Sequence, residues 1–377
     1  MTRRLEAEVC VVGGGLVGCA TALQLAMRRV PCIVLERGLC GGQASGVNYG
    51  GVRRQGRSLA ELPLADRARR LWGRLARFVD GDCEFRATGH LRLARDAAEL
   101  AELERWAAEA RRFGVVCDIL GPDRLAERWP WLGPGLAGGS FCADDGQANP
   151  RLATPLFARA ARRHGARIIE HRAVLAVERI PSGFHLRGAG DLEVRARILV
   201  NATGAWGPGV AALLGEELPG EVIAPNMLVS EPLPYRIEPN LGMAGPGIYL
   251  RQIPSGSVIF GGGRGTADLE TARCRPLLAT SLATLEQACR IVPDLMRATI
   301  IRTWAGIEGR MPDDLPVIGA SATVPGLFHA FGFSGHGFML APAVGAVLAE
   351  LVLDGHSSTS LAGLAPSRFR VGRIEPI

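Results

Sequence analysis

The chain opens with short apolar runs rather than alternating patterns. Residues 9–12 (Val-Cys-Val-Val) and 32–35 (Cys-Ile-Val-Leu) are wholly apolar and bounded by glycines or turn residues. Such runs read as strands buried on both faces. The helical stretch 16–29 between them completes a βαβ unit. Residues 58–78 read as a helix, and 88–95 (Thr-Gly-His-Leu-Arg-Leu-Ala-Arg) alternate like a strand. Asp96 has the N-cap position of the next helix, with Glu99 placed for a capping box. Leu100, Leu103, Ala107, Ala110 and Phe113 give that helix one apolar face, and Gly114 ends it. A strand is expected at 138–143 and a turn at 144–147. A helix follows to His164, opened by a first-turn proline, Pro150. Segments 168–180, 184–187 and 192–197 read as a meander, and 198–204 as a further buried strand ending in a glycine turn. Short strands alternate with Pro/Gly turns over 221–263, and a helix is expected at 277–292. The glycine-rich loop 332–337 runs into the longest apolar stretch, 338–353. Pro342 and Gly345 are expected to break that stretch and Glu350 charges it. It falls short of the roughly 20 apolar residues of a membrane span.

At about 150 residues per domain, 377 residues make two or three domains. With 47% hydrophobic residues the chain can fill a large core, which excludes disorder. All 43 basic residues are arginine, so no lysine amine is available for chemistry. The net charge of +6 is dispersed, and no basic run is interleaved with aromatics, so nucleic-acid binding is not expected. The nine cysteines include no Cys-x-x-Cys pair, which argues against a metal or iron–sulfur cage and for free thiols in a reducing cytoplasm. No apolar signal segment precedes the first strand.

Chemistry enters with Gly13-Gly-Gly-Leu-Val-Gly18, a Gly-x-Gly-x-x-Gly loop between a strand and a helix. Gly13 permits the turn, Gly15 lets a pyrophosphate approach, and Gly18 lets helix and strand pack closely. The helix N-terminus offers free N–H groups to phosphate. Glu36 closes the second strand, where a carboxylate takes ribose hydroxyls. The loop does not separate NAD from FAD. Gly261-Gly-Gly-Arg-Gly265 lacks the strand–helix context, so one dinucleotide is expected.

Five further segments make the reading specific: 41–53 (Gly-Gly-Gln-Ala-Ser-Gly-Val-Asn-Tyr-Gly-Gly-Val-Arg), 145–150 (Asp-Gly-Gln-Ala-Asn-Pro), 202–206 (Ala-Thr-Gly-Ala-Trp), 302–319 with Arg-Thr-Trp-Ala-Gly and Pro-Asp-Asp-Leu-Pro-Val-Ile-Gly, and 332–338 (Gly-Phe-Ser-Gly-His-Gly-Phe). In this order the chain resembles the D-amino-acid oxidase superfamily of FAD enzymes. The nearest branch holds sarcosine oxidase, glycine oxidase and the FAD subunits of heteromeric amino-acid dehydrogenases. The resemblance implies an α/β plus α+β fold: a Rossmann-like FAD-binding domain (1–85, 145–215 and 300–377) interleaved with a mixed antiparallel-sheet substrate domain (86–144 and 216–299). It implies one extended FAD. Gly13, Gly15, Leu16, Val17 and Gly18 would meet the pyrophosphate, Glu36 and Arg37 the adenosine ribose, and Val174 the adenine. Ala202, Thr203, Gly204 and Trp206 would flank the cofactor. Ala44, Ser45 and Asn48 to Gly51, with Gly50 among them, would run beside the pyrophosphate and ring. Gly306, Arg310 and the loop of Gly335, His336, Gly337, Phe338 and Met339 would close on the ring. The stretch 306–311, where relatives carry a tethering cysteine, has none, so the FAD is expected to be non-covalent.

The resemblance further implies oxidation of an amino acid at its Cα–N bond. An arginine fork suits the substrate carboxylate, and Arg53, Arg251 and Arg310 stand at family positions for it. Tyr249 and Glu308 are candidates to orient or receive the amine, and His336 is a candidate for a direct role. Trp206 and Trp304 fit packing roles. Met339 stands where sarcosine oxidases bind carboxylate with a lysine, and the lysine that activates O2 in them has no counterpart here. A dehydrogenase is therefore expected, passing electrons to a quinone or to a partner subunit carrying FMN or an iron–sulfur centre. The alternatives are an H2O2-forming oxidase and a non-catalytic FAD-carrying subunit. No metal site and no transmembrane segment are expected.

Overall fold

The computed structural model describes residues 3–369; the ends of the expected terminal segments, 1–2 and 370–377, lie outside them. The N-terminal run forms β1 (Arg3–Val12), α1 (Leu16–Met27) and β2 (Cys32–Leu35). β1 starts six residues before its apolar run because its polar half pairs with Leu192–Asn201 from residue 3 onward. That partner is one strand, not the two expected at 192–197 and 198–204.

Parallel pairings order this sheet Leu327–Phe331, Leu192–Asn201, β1, β2, Arg167–Ile169; Val317–Ala320 adds antiparallel at one edge. Alternate residues of the two N-terminal strands face different cores. Val9, Val11, Cys32 and Val34 meet α1 and the helices Pro150–Arg163 and Gly337–Asp354. Cys10, Val12, Ile33 and Leu35 meet a core covered by the meander Val174–Ile180, Gly183–Gly188. Two covered faces explain the unbroken apolar runs.

The second sheet has eight strands: Ile300–Ala305, Pro225–Pro232, Ser257–Arg264, Tyr249–Gln252, Asn240–Met243, His90–Ala94, Gly138–Cys142, Asp118–Leu120. It is antiparallel except where Asn240–Met243 runs parallel to His90–Ala94. Because Ile300–Ala305 pairs with Pro225–Pro232, this sheet extends past the boundary expected at residue 300. Asp96 caps the helix Ala97–Ala110 by accepting the Glu99 N–H, while the Glu99 carboxylate takes the N–H of Arg95, one residue earlier than a capping box requires. The expected helix 58–78 is broken. A 3-10 turn precedes Leu62–Trp72, and Gly73 ends it.

The expected break at Pro342 and Gly345 does not occur. Gly337–Asp354 is one helix, apolar and long enough to cross a membrane by composition, but 67% of it is buried. Pro342 gives up one backbone bond, and Gly345 lies against α1, where a Cβ would come within 2.5 Å of the Ala20 carbonyl carbon. Glu350 accepts both terminal nitrogens of Arg67 at 2.5 and 3.1 Å, and the Ser357 hydroxyl at 2.6 Å. The Arg67 bonds, with some opposition from burial, hold its carboxyl down at about 2. Its stabilisation is therefore present above the ordinary carboxylate range and is lost as pH falls toward 2. Glu350→Ala is expected to lower unfolding free energy by about 1–3 kcal/mol at neutral pH. Denaturant titration at pH 7 and pH 3 checks this: the difference between variant and parent must shrink at the lower pH.

Candidate functional site

A cavity of about 800 Å³ lies between the two sheets, at the large end of the range of roughly 300–1,000 Å³ found for ligand sites. One end is built by β1, α1 and β2. The chain leaves β1 at Gly13 with φ +107°, where a Cβ would overlap the Ala202 carbonyl. Gly18 packs on the Gly13 carbonyl with no room for a Cβ. α1 has neither a side-chain cap nor an acidic first turn, so its positive end faces the cavity beside Gly15. The Glu36 carboxylate accepts the N–H groups of Gly14 (2.6 Å) and Gly38 (2.7 Å), fixing the loop from below. Arg37 stacks 3.6 Å above the Trp206 ring, and its buried Nη2 has no partner among the described residues. Thus a helix N-terminus and an unmatched guanidinium donor converge, which suits a phosphate-bearing ligand with an aromatic base.

The middle of the cavity runs past the short helix Ala44–Val47. There Ser45 Oγ accepts the Leu16 N–H (2.9 Å), and Asn48 bonds back to Ala44 and Ser45. Thr203, Gly204 and Gly306 line the facing wall, and Val174 the adjoining one.

At the far end the walls become polar. Arg53, Arg57, His90, Arg92, Tyr49, Tyr249, Glu308 and His336 all line it. Tyr49 and Tyr249 meet edge-on at 5.1 Å; the Tyr49 hydroxyl has no partner, and that of Tyr249 touches Met227 Sδ at 3.2 Å. His336, the N-cap of the last helix, has Nδ1 2.9 Å from both oxygens of the buried Glu61 carboxylate, which also pairs with Arg57. Burial and then the Arg57 charge push His336 down to about 4, leaving the ring neutral at pH 7. Burial raises the Glu308 carboxyl to about 7, against the N–H it accepts from Gly335.

The remaining expected residues lie elsewhere. Arg251 is not in the cavity wall. It is buried beneath the Tyr49 ring and bonded to Gln147 Oε1 and Ala148 O, both at 3.0 Å. Arg310 points to the surface, where it pairs with Asp314 and Glu221; it touches neither a cofactor nor a substrate position. Both therefore drop out as carboxylate clamps. Leu16, Gly18, Gly50 and Met339 shape the cavity from behind without lining it. Met339 is fully buried, with its carbonyl taken by Trp72 Nε1. Gly50, at φ +84°, lies against Ala148 and Arg251. Sequence reasoning passed over Arg57, Glu61, His90, Arg92 and Met227. None sits in a motif, and two are merely arginines among 43.

The family described as FAD dependent oxidoreductase matches residues 8–351. Glycine oxidase of Geobacillus kaustophilus is 30% identical, with 99% of both chains covered. An opine oxidase subunit of Rhizobium meliloti is 27% identical over 98% of this chain and 100% of that one. The crystal structure of L-proline dehydrogenase from P. horikoshii superimposes with a TM-score of 0.90 at 29% identity, covering 97% of this chain and 98% of that one.

Proposed function

The chain belongs to the FAD dependent oxidoreductase family, and on that footing we propose that it oxidises the Cα–N bond of a D- or secondary amino acid as a dehydrogenase. FAD is the cofactor, and the residues fit it: α1 and Arg37 for the phosphate and adenosine end, Tyr49 to Phe338 for the ring end. When bound, FAD supplies the acceptor for a hydride.

The observation that carries the proposal is the polar far end, continuous with the dinucleotide loop. Arg53 lines it and forms no ion pair among the described residues, which suits the substrate carboxylate. Glu308 lies half-buried with an ionisation near 7, poised to take the ammonium proton so that a neutral amine reacts. With FAD bound to take the Cα hydrogen with its electron pair, Arg53 would hold the carboxylate and Glu308 would serve the amine as it gives up a proton and C=N forms. Water converts the imine to a carbonyl acid and an amine. Arg251 and Met339 take no part.

The dehydrogenase assignment rests on what faces the ring end. The chain has no lysine and His336 is neutral, so the cations at this end are the guanidinium groups of Arg53, Arg57 and Arg92 rather than an ammonium or imidazolium beside a reduced-oxygen anion. A partner subunit carrying FMN or an iron–sulfur centre would take the electrons. A relative named as a subunit supports this. The nine unpaired thiols support a cytoplasmic setting.

Anaerobic titration of the yellow protein with amino acids, followed by air, tests the reading. The expected result is bleaching of the visible band by one class of compound and colour returning over minutes. Immediate return with peroxide would make it an oxidase, as the glycine oxidase relative suggests. No bleaching by any amine would sink the catalytic reading in favour of a FAD-carrying subunit. Acid precipitation is expected to release the yellow cofactor, since 306–311 offers no cysteine for a tether; a yellow pellet would contradict that.

A further inference from the structure

We propose that the substrate is a dicarboxylate, a secondary amine flanked by two carboxylates, with Arg53 and Arg92 each taking one. The inference deepens the function proposed above and rests on it. Arg53, Arg57 and Arg92 cluster with His90 at the substrate end, the exposed Arg264 also lining the wall, and the three are not equivalent. Arg57 is saturated: Nε donates to Arg53 O (2.7 Å), Nη1 pairs with Glu61 (3.4 Å), and Nη2 donates to His336 O (3.5 Å). Its charge is met by Glu61 inside the protein.

Arg53 and Arg92 have no carboxylate in contact. Arg53 spends one nitrogen on Gln55 O. Arg92 donates Nε and Nη2 to the carbonyls of Met243 and Ala244, and its Nη1 lies against Gly56, itself in the cavity wall. Neither forms an ion pair with any described carboxylate. Burial and then the Arg53 charge hold Arg92 down at about 10, against more distant attraction from Glu102 and Glu99. Burial, with the charges of Arg53, Arg92 and Arg57 behind it, holds His90 low as well. His90 stays neutral, donating Nδ1–H to Gln55 Oε1 because the Gln55 amide is already spent on Ser140. Two like charges held in a partly desolvated wall are costly until anions arrive. A simple amino acid brings one carboxylate and would leave one cation unmatched. A second carboxylate, reached across the amine, matches the other.

Arg92 also braces the loop after Asn240–Met243, so the test must separate charge from brace. Purified holoprotein is titrated anaerobically with iminodiacetate and N-(carboxymethyl)alanine, and with sarcosine, glycine and proline. The dicarboxylates are expected to half-bleach the visible band at concentrations at least about tenfold lower. In Arg92→Gln that preference should fall about tenfold, and Arg92→Lys should recover part of it. Equal or better bleaching by monocarboxylates would overturn the dicarboxylate assignment and leave the amino-acid oxidation standing. A parallel loss for both classes in Arg92→Gln would make Arg92 a brace only and would overturn it too. If nothing bleaches, the proposed function itself fails. Calorimetry with malonate and succinate against acetate then decides the site: tighter dicarboxylate binding supports the two-cation subsite, and equal affinity ends it.

Discussion

Gly18→Ala is expected to purify without yellow colour. The added methyl group overlaps the Gly13 carbonyl oxygen and comes within 3.4 Å of Val11 Cγ1. To admit it, α1 must back away from β1. That retreat is blocked on its far side, where Gly345 of the last helix lets the two backbones touch; a Cβ there would be 2.7 Å from Thr21 N. The strain therefore falls on the turn at Gly13 to Gly15, where Leu35 O and the Glu36 carboxylate hold the Gly13 and Gly14 N–H groups and the end of α1 faces the cavity. Overpacking of this kind costs about 1–3 kcal/mol, a drop of roughly 1–4 °C in the melting midpoint of a chain this long. Bound FAD, read from the ratio of visible to ultraviolet absorbance, should fall below a tenth of the parent's. Gly209→Ala is the control. Gly209 also lines the cavity, but a Cβ there meets nothing within 4 Å. A yellow, fully loaded Gly18→Ala would show that the loop does not hold the cofactor as described.

The second large effect is on rate. Glu308→Gln should lower kcat/KM at pH 8 by about a hundredfold, the scale of a lost general base. The parent should gain activity as pH rises through about 7, because burial holds the carboxyl protonated below that point; the variant should lose that limb. Stability runs the other way. A carboxyl whose ionisation is raised by folding stabilises the folded state only while protonated, and the contribution is lost as pH climbs from the unfolded value past 7. Glu308→Gln should therefore be at least as stable as the parent at pH 8. A purely structural carboxylate would not give this combination. If the limb survives in the variant, the base is another group.

The frame of the fold was written in local signals. Unbroken apolar runs at β1 and β2 fixed a sheet covered on both faces, and Asp96 and Pro150 marked helix starts that the structure keeps. Where tertiary packing overrode local signals, sequence reasoning missed. Pro342 and Gly345 look like breakers in isolation. Buried against α1, the helix keeps going because surrounding apolar contacts outweigh one lost backbone bond. The cofactor end of the site was legible because a phosphate loop is contiguous in sequence. The substrate end was not, because it is assembled from the 49–57 segment, the strand His90–Ala94, the turn after Asn240–Met243, and Glu308. Nothing in the sequence tells Arg92, which faces the cavity, from Arg251, which faces Gln147, or from Arg310, which faces solvent.

That assembly from scattered segments bears on folding as well as catalysis. The wall draws on stretches from residue 12 to residue 338, so an unfolded chain has no partial site for the dinucleotide. A ligand that binds only the native state adds RT ln(1 + [L]/Kd) to its stability, about 2.7 kcal/mol when free ligand is a hundred times Kd. The melting point should then climb with added FAD, and the cell's flavin supply would set how much of this protein survives as folded chain.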